Sequence, residues 1–264
     1  MQWAGGRRSG NIEDRRGMTP IAIGGVGGLV LLLVALFFGV NPSEIVDTTT
    51  QPTVNARNAA DDQTKDFIAT ILGYTEDTWT DIFARSGRTY REPKLVLFTG
   101  AVDSACGFAQ AAVGPFYCPE DEKVYLDTSF FQDLRDRFQA PGDFAQAYVI
   151  AHEIGHHVQN QLGITEQVER HRSNRMSVRL ELQADCLAGV WASHNRKVLD
   201  PGDIDEALRA ASMIGDDRLQ MESRGYVAPE SFTHGTSEQR SQWFNTGFEK
   251  GAVSACNTFD VAKP

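Results

Sequence analysis

His152-Glu153-Ile154-Gly155-His156, within the run from Ala151 to Gly163, constrains this chain more than any other stretch. Val149, Ile150, Ile154 and Val158 recur around it at helical spacing, so the pentapeptide reads as part of a helix. Four residues turn an α-helix through about 400°, which projects His152 and His156 from one face a single turn apart. Two imidazoles so placed can grip one ion. Glu153 lies roughly 60° around the axis from His156, where its carboxylate can reach a water on that ion without ligating it. A polar triplet amid so many apolar neighbours needs partners once it is buried, which argues against ordinary core or surface histidines.

A catalytic metal site needs three protein donors and an open position, so a third ligand must come from another element. Glu181-Leu-Gln-Ala-Asp185 supplies it 181 − 156 = 25 residues further on, enough for a turn and a second helix to return against the first. Glu181 and Asp185 share a helix face. Glu181 can then ligate, while Asp185 accepts the N–H of a ligating histidine and fixes its ring. Ala184 and Ala188 leave room for the two helices to approach closely. His157 points elsewhere on the first helix, and His171 and His194 sit among polar neighbours, so these three read as structural or exposed. His234, in the short polar loop Ser231-Phe-Thr-His-Gly-Thr236, is a candidate catalytic or substrate-binding residue, with Tyr226 a weaker one.

The stretch from Ile21 to Val40 is 20 residues without a charge. A helix of that length spans about 30 Å of hydrocarbon, so it reads as a transmembrane helix. A cleaved signal peptide would have a shorter apolar core and a small-x-small cleavage site, neither of which suits Ala35-Leu-Phe-Phe-Gly-Val-Asn-Pro42. Gly24 and Gly28 could seat a second membrane helix or be ordinary glycines in a span. Arg7, Arg8, Arg15 and Arg16 precede the run, and only Glu44 and Asp47 closely follow it. That imbalance places residues 1–20 as a cytoplasmic tail and the large domain outside the cytoplasm, in the periplasm or beyond the cell, with the lipid bilayer as a partner. The tail's four arginines against Glu13 and Asp14 give it +2, which leaves −10 − 2 = −12 on the rest. So acidic a body, without a basic stripe, excludes nucleic acid as a partner.

Cys106, Cys118, Cys186 and Cys256 form an even set in a domain expected where disulfides persist. Of the three possible pairings, Cys106 with Cys118 closes a short Gly- and Ala-rich loop and leaves Cys186 for Cys256. No Cys-x-x-Cys spacing supports a zinc site made from these residues.

Residues 41–60, rich in Pro, Thr, Asn and Asp, read as a flexible linker, with the globular domain over 61–264. Helical spacing covers 62–83 as one or two helices interrupted near Gly73, and Thr128 or Ser129 can cap a helix over 130–138. Further helices are expected through about 166–195, 203–224 and 237–248. Lys94–Phe98 and Lys123–Asp127 read as strands. Two or three strands among many helices predict an α+β, mainly helical domain with a small sheet, preceded by one membrane helix.

Taken together, His152-Glu-Ile-Gly-His-His157, Arg179-Leu-Glu-Leu-Gln-Ala-Asp-Cys186, Ile214-Gly-Asp-Asp-Arg-Leu-Gln220 and Phe232-Thr-His-Gly-Thr236 resemble the bacterial predicted neutral zinc metallopeptidase family, YpfJ-like, over nearly the whole chain. More distantly, the chain is similar to gluzincin peptidases. That likeness implies Zn²⁺, a zincin-like helix–helix metal site and an edge strand that binds extended substrate. The chain departs from the best-known gluzincins in lacking an Asn just before Glu181 and in the short span between its motifs. The expected function is therefore a membrane-anchored zinc metallopeptidase acting on proteins or peptides. His152, His156 and Glu181 hold zinc, Glu153 is the general base toward a zinc-activated water, and His234 stabilises the oxyanion. The alternative is a non-catalytic module that keeps the zinc fold as a binding or scaffolding surface, which would have no need of Glu153.

Overall fold

A computed structural model describes residues 1–17, 59–110 and 114–262. The apolar run 21–40 and linker residues 41–58 lie outside the described residues. Among those described, no helix is long and apolar enough to cross a membrane.

Four strands form one mixed sheet in the order β1-β2-β6-β5: β1 (Ile12–Asp14), β2 (Lys94–Phe98), β5 (Phe116–Cys118) and β6 (Lys123–Asp127). The first three in that order run parallel and β5 runs antiparallel to β6. Alternation along β2 sends Leu95 and Leu97 into the main helical core, while Val96 and Phe98 join Val102, Cys118 and Tyr125 in a second apolar cluster. That second face is covered by a hairpin of β3 (Ala101–Ser104) and β4 (Gly107–Gln110). Both strands expected from sequence form at their expected bounds. The other four are three or four residues long, too short for an alternating pattern to stand out.

Eight helices complete the described body: α1 (Ala59–Arg85), α2 (Phe130–Asp136), α3 (Asp143–Gln161), α4 (Ile164–Arg170), α5 (Asn174–His194), α6 (Asp203–Met213), α7 (Asp216–Arg224) and α8 (Ser237–Lys250). The mainly helical α+β class expected from sequence is the one observed. α1 is continuous through Gly73, and its glycine answers to packing: a Cβ there would lie 2.5 Å from the Arg7 carbonyl oxygen. The single helix expected over 166–195 is two, because Ser173 adopts extended backbone and its hydroxyl accepts from Met176 N–H, an N-cap that restarts the chain as α5. The helix expected over 203–224 likewise breaks at Gly215, where the backbone of Ser237 comes so near that a Cβ would sit 2.4 Å from its nitrogen.

Residues 1–17, expected as a separate tail, form part of the body. Ile12, Glu13 and Asp14 pair with Leu95, Val96 and Leu97, and Ser9 N–H donates to the Ala69 carbonyl at 2.9 Å. The reason is chemical: the acidic partners that their arginines need are on α1 and on β1 itself.

α3 is the central element, with 14 of its 19 residues buried. Gly142 supplies no capping side chain, and Glu206 of α6 accepts the Phe144 N–H instead, at 3.1 Å. α3 crosses α5 at Gly155, where a Cβ would meet the Ala184 carbonyl oxygen at 3.0 Å. α5 and α8 approach closer still. A Cβ on Gly189 would meet the Phe244 oxygen at 2.0 Å, and one on Gly247 the Cys186 oxygen at 1.9 Å. The disulfides are Cys106–Cys118, which ties the β3–β4 hairpin to β5, and Cys186–Cys256, which fixes the C-terminal segment behind α5.

Candidate metal centre

Where α3 crosses α5, the Gly155–Ala184 contact sets Glu181, one turn before Ala184, opposite His152 and His156. The Nε2 atoms of His152 and His156 lie 3.2 and 3.5 Å from the two carboxylate oxygens of Glu181. Donors about 2.0–2.1 Å from a tetrahedral zinc stand roughly 3.3 Å from one another, so this spacing fits the ion. The donor set, two imidazoles and one carboxylate, is that of a site which leaves a coordination position open.

Each candidate histidine donor is held from behind. His152 Nδ1–H donates to Asp185 at 2.8 Å, and His156 Nδ1–H donates to Gln159 Oε1 at 2.9 Å, which turns both Nε2 atoms toward Glu181. Gln159 donates in turn to Gln183 and to the Leu180 carbonyl, and Gln183 to the Cys256 carbonyl. Asp185 is fully buried and also accepts from the Tyr148 hydroxyl and from Arg240 of α8. Burial pushes the Asp185 carboxyl up, but Arg240 and His152 outweigh it and bring it down to about 2. Burial disfavours charge on His156, which Glu181 overcomes, and the two imidazoles hold Glu181 itself well below the usual carboxylate range despite its burial. Glu153 differs: burial raises its carboxyl, and His152 and His156 only partly offset this. The site thus holds two carboxylates kept charged, Glu181 and Asp185, and one with raised proton affinity, Glu153.

These residues open onto a cleft of about 870 Å³ walled by Phe116 and Tyr117 of β5, Phe130, Phe138 and Leu219. His234 lines the same cleft, whereas Tyr226 is exposed and outside it. His234 is half-exposed, with Nδ1 3.2 Å from Asp216. The other Asp216 oxygen accepts the backbone N–H groups of Thr233, His234 and Gly235 at 2.6–3.1 Å, which shapes the loop. The hydrogen bond to Asp216 raises the imidazole's pKa against the effect of burial, with Glu181 adding to the rise.

His157 is buried away from the metal donors. Its Nε2–H donates to the Arg91 carbonyl and its Nδ1 accepts from the Tyr117 hydroxyl, and burial lowers its pKa. His171 is exposed and His194 meets the Gly251 carbonyl, both remote from the cleft as the sequence suggests. Sequence reasoning missed Tyr148, Gln159, Arg240 and Asp216. Arg240 lies in a helix that reads as amphipathic from sequence, and only the fold reveals that this charged residue is buried. For Asp216 a signal existed, since Ile214-Gly-Asp-Asp217 belongs to the shared motif set.

The family described as "Putative neutral zinc metallopeptidase" matches residues 1–259. The chain is 47% identical to the "Uncharacterized protein YpfJ" of Escherichia coli K12, over 98% of its own length and 99% of that protein's. It is 44% identical to the "Uncharacterized protein Rv2575" of Mycobacterium tuberculosis H37Rv, over 66% of its own length and 64% of the relative's. No solved structure matches the chain.

Proposed function

Because the chain belongs to the neutral zinc metallopeptidase family, we propose that it hydrolyses peptide bonds at the His152–His156–Glu181 centre, in the manner of gluzincins. The observation that carries this reading is the convergence of those three donors at zinc-like spacing, with the protonatable Glu153 beside them. Zinc held there supplies a Lewis acid that makes water acidic near neutral pH and polarises a carbonyl. Glu153 takes the proton from the attacking water as its oxygen bonds to the peptide carbon, then delivers that proton to the nitrogen as the C–N bond breaks. Its raised proton affinity suits both halves of that transfer. His234, steadied by Asp216, donates to the oxygen that gains charge. Phe116, Phe130 and Phe138 shield the reacting centre from water and present an apolar wall to substrate side chains.

The apolar run 21–40 holds the enzyme at a bilayer, and the catalytic body lies outside the cytoplasm, a placement supported by its two disulfides. The test is metal analysis of the purified protein, followed by cleavage of an unbiased peptide library with Glu153→Gln as control. The expected result is about one zinc per chain in both proteins, with cleavage reduced on the order of 10²–10⁴-fold in the variant. Undiminished cleavage by Glu153→Gln would remove Glu153 from the mechanism. A chain that holds no zinc when Glu181 is intact would remove the centre.

A further inference from the structure

Gln159 of α3 is fully buried and Gln183 of α5 nearly so, which means that the polar atoms of both amides need partners inside the protein. Their hydrogen bonds end on main-chain carbonyls, which can only accept. The Leu180 carbonyl oxygen lies 2.7 Å from one terminal atom of Gln159, and the Cys256 carbonyl oxygen lies 2.8 Å from one terminal atom of Gln183. Those two atoms must be the amide nitrogens.

With the nitrogens so placed, one arrangement of the rest is consistent. Gln183 turns its oxygen to the second N–H of Gln159, at 3.1 Å. The oxygen of Gln159 is then left for His156 Nδ1, at 2.9 Å. An acceptor there puts the proton on Nδ1 and leaves the Nε2 lone pair, 3.5 Å from Glu181, for a metal. If either amide turned over, its oxygen would face a main-chain oxygen. Polarity set by two backbone atoms thus reaches the ring through two side chains.

The far end of this chain is held by several bonds. Arg179, Gln183 and Cys186 stand four and three residues apart on one face of α5, about half a turn around the axis from Glu181. Cys186 is bonded to Cys256, the Arg179 guanidinium donates to the carbonyls of Thr258 and Val261, and the Thr258 hydroxyl donates to the Arg179 carbonyl at 2.6 Å. His152 is held by a separate route, through Asp185 and Arg240.

We propose that the segment from Cys256 to Val261 sets the ring of His156 through Gln183 and Gln159, and with it the zinc affinity of the centre. The two glutamines are positioning residues for the metal. This rests on the zinc centre given above but not on the reaction assigned to it, so a failure to cleave peptides tells against the reaction alone.

Zinc affinity of the full-length protein, measured by competition with a chromophoric chelator, provides the test. Gln159→Met and Gln183→Met keep the length of the side chain and remove its hydrogen bonds. Gln159→Met is expected to weaken zinc binding by roughly 10–100-fold, and Gln183→Met by about 10-fold, since Leu180 still holds one hydrogen of Gln159. The double variant should bind zinc no more weakly than Gln159→Met, because one chain is cut in either case. Losses that multiply would make the two residues independent and overturn the relay. In zinc-loaded protein with isotope-labelled histidine, Gln183→Met should hasten exchange of the His156 Nδ1–H and leave that of His152 unchanged. Equal change at both would reduce Gln183 to a packing role and overturn the proposal. Replacing both cysteines by alanine, Cys186→Ala with Cys256→Ala, frees the segment but keeps its carbonyl. It should weaken zinc binding in the wild-type background and add nothing to Gln183→Met. If that variant does not fold, the glutamine variants decide. A wild-type chain that holds no zinc overturns the centre and this inference together. Wild-type affinity in Gln183→Met, in a chain that does hold zinc, overturns this inference alone.

Discussion

Arg240 grips both carboxylate oxygens of Asp185, with Nε at 2.9 Å and Nη2 at 3.0 Å, inside a region where both side chains are almost wholly buried. The pair stands behind His152 and makes its orientation depend on α8. Breaking a buried pair from one side leaves a stranded charge and costs about 3–5 kcal/mol. Arg240→Leu is therefore expected to lower the urea midpoint strongly and weaken zinc binding by roughly 10–100-fold. Adding Asp185→Asn to it should restore much of the stability but not the zinc affinity. Denaturation and chelator competition on the two variants separate these effects.

His234 and Asp216 give a pH-dependent prediction. Asp216 raises the imidazole's pKa, so stability from the charged pair is fully present below the unfolded value of about 6.5 and is lost as pH rises through the higher folded one. If imidazolium is the donor to the substrate oxygen, activity declines over the same interval on the alkaline side. In Asp216→Asn that alkaline limb should move to lower pH, with kcat falling more than KM rises. A pH–rate profile identical to wild type would leave Asp216 a loop-shaping residue only.

Gly247 faces the Cys186 carbonyl oxygen so closely that a single methyl group cannot fit without moving a helix. Gly247→Ala should cost about 1–3 kcal/mol or more, although alanine is the better helix former. Gly10→Ala, in open space, should lie within about 0.5 kcal/mol of wild type. Thermal unfolding of the two variants side by side decides the matter.

On β1, Glu13 receives Arg15 and Lys123. Burial pushes its carboxyl up, but those hydrogen bonds prevail and bring it down to about 2 from 4.5. A depressed folded pKa contributes stability above the unfolded value and loses it as pH falls from 4.5 toward 2, here about 1 kcal/mol or less because the ion pairs are screened by solvent. Glu13→Gln should therefore be less stable than wild type at pH 7 and nearly equal to it near pH 2. Hydrogen exchange of the β1 amides, followed against pH, reports the loss locally.

The helix that carries His152 and His156 could be read from sequence because the apolar residues around the two histidines recur at helical spacing. The disulfide pairing could be read because Cys106 and Cys118 are near in the chain. What could not be read depends on meetings between distant segments. Arg240 looks solvated until α8 is laid on α5, and Gly73 looks like a helix break until residue 7 is laid across it. β1 is too short to announce itself, and its charges, counted along the chain, suggest a tail. Counted in space, they are ion pairs. Ser173 and Gly215 carry local signals for a cap and a close approach, but the apolar periodicity on either side masks both breaks.

The glycine contacts between α5 and α8 bring backbone against backbone, and the Cys186–Cys256 bridge closes the same junction covalently. This face of the centre is thus assembled by van der Waals contact and hydrogen bonds before any ion arrives. In small zinc domains the ion's binding energy is spent on folding, and chelators unfold them. Here the α5–α8 junction closes through contacts that involve no ion, and the two processes are expected to be separate. Chelation should yield a folded apoprotein with unchanged circular dichroism, and restored zinc should bind without a slow refolding phase. The metal is then free to be exchanged, supplied late or withheld without loss of the fold that receives it.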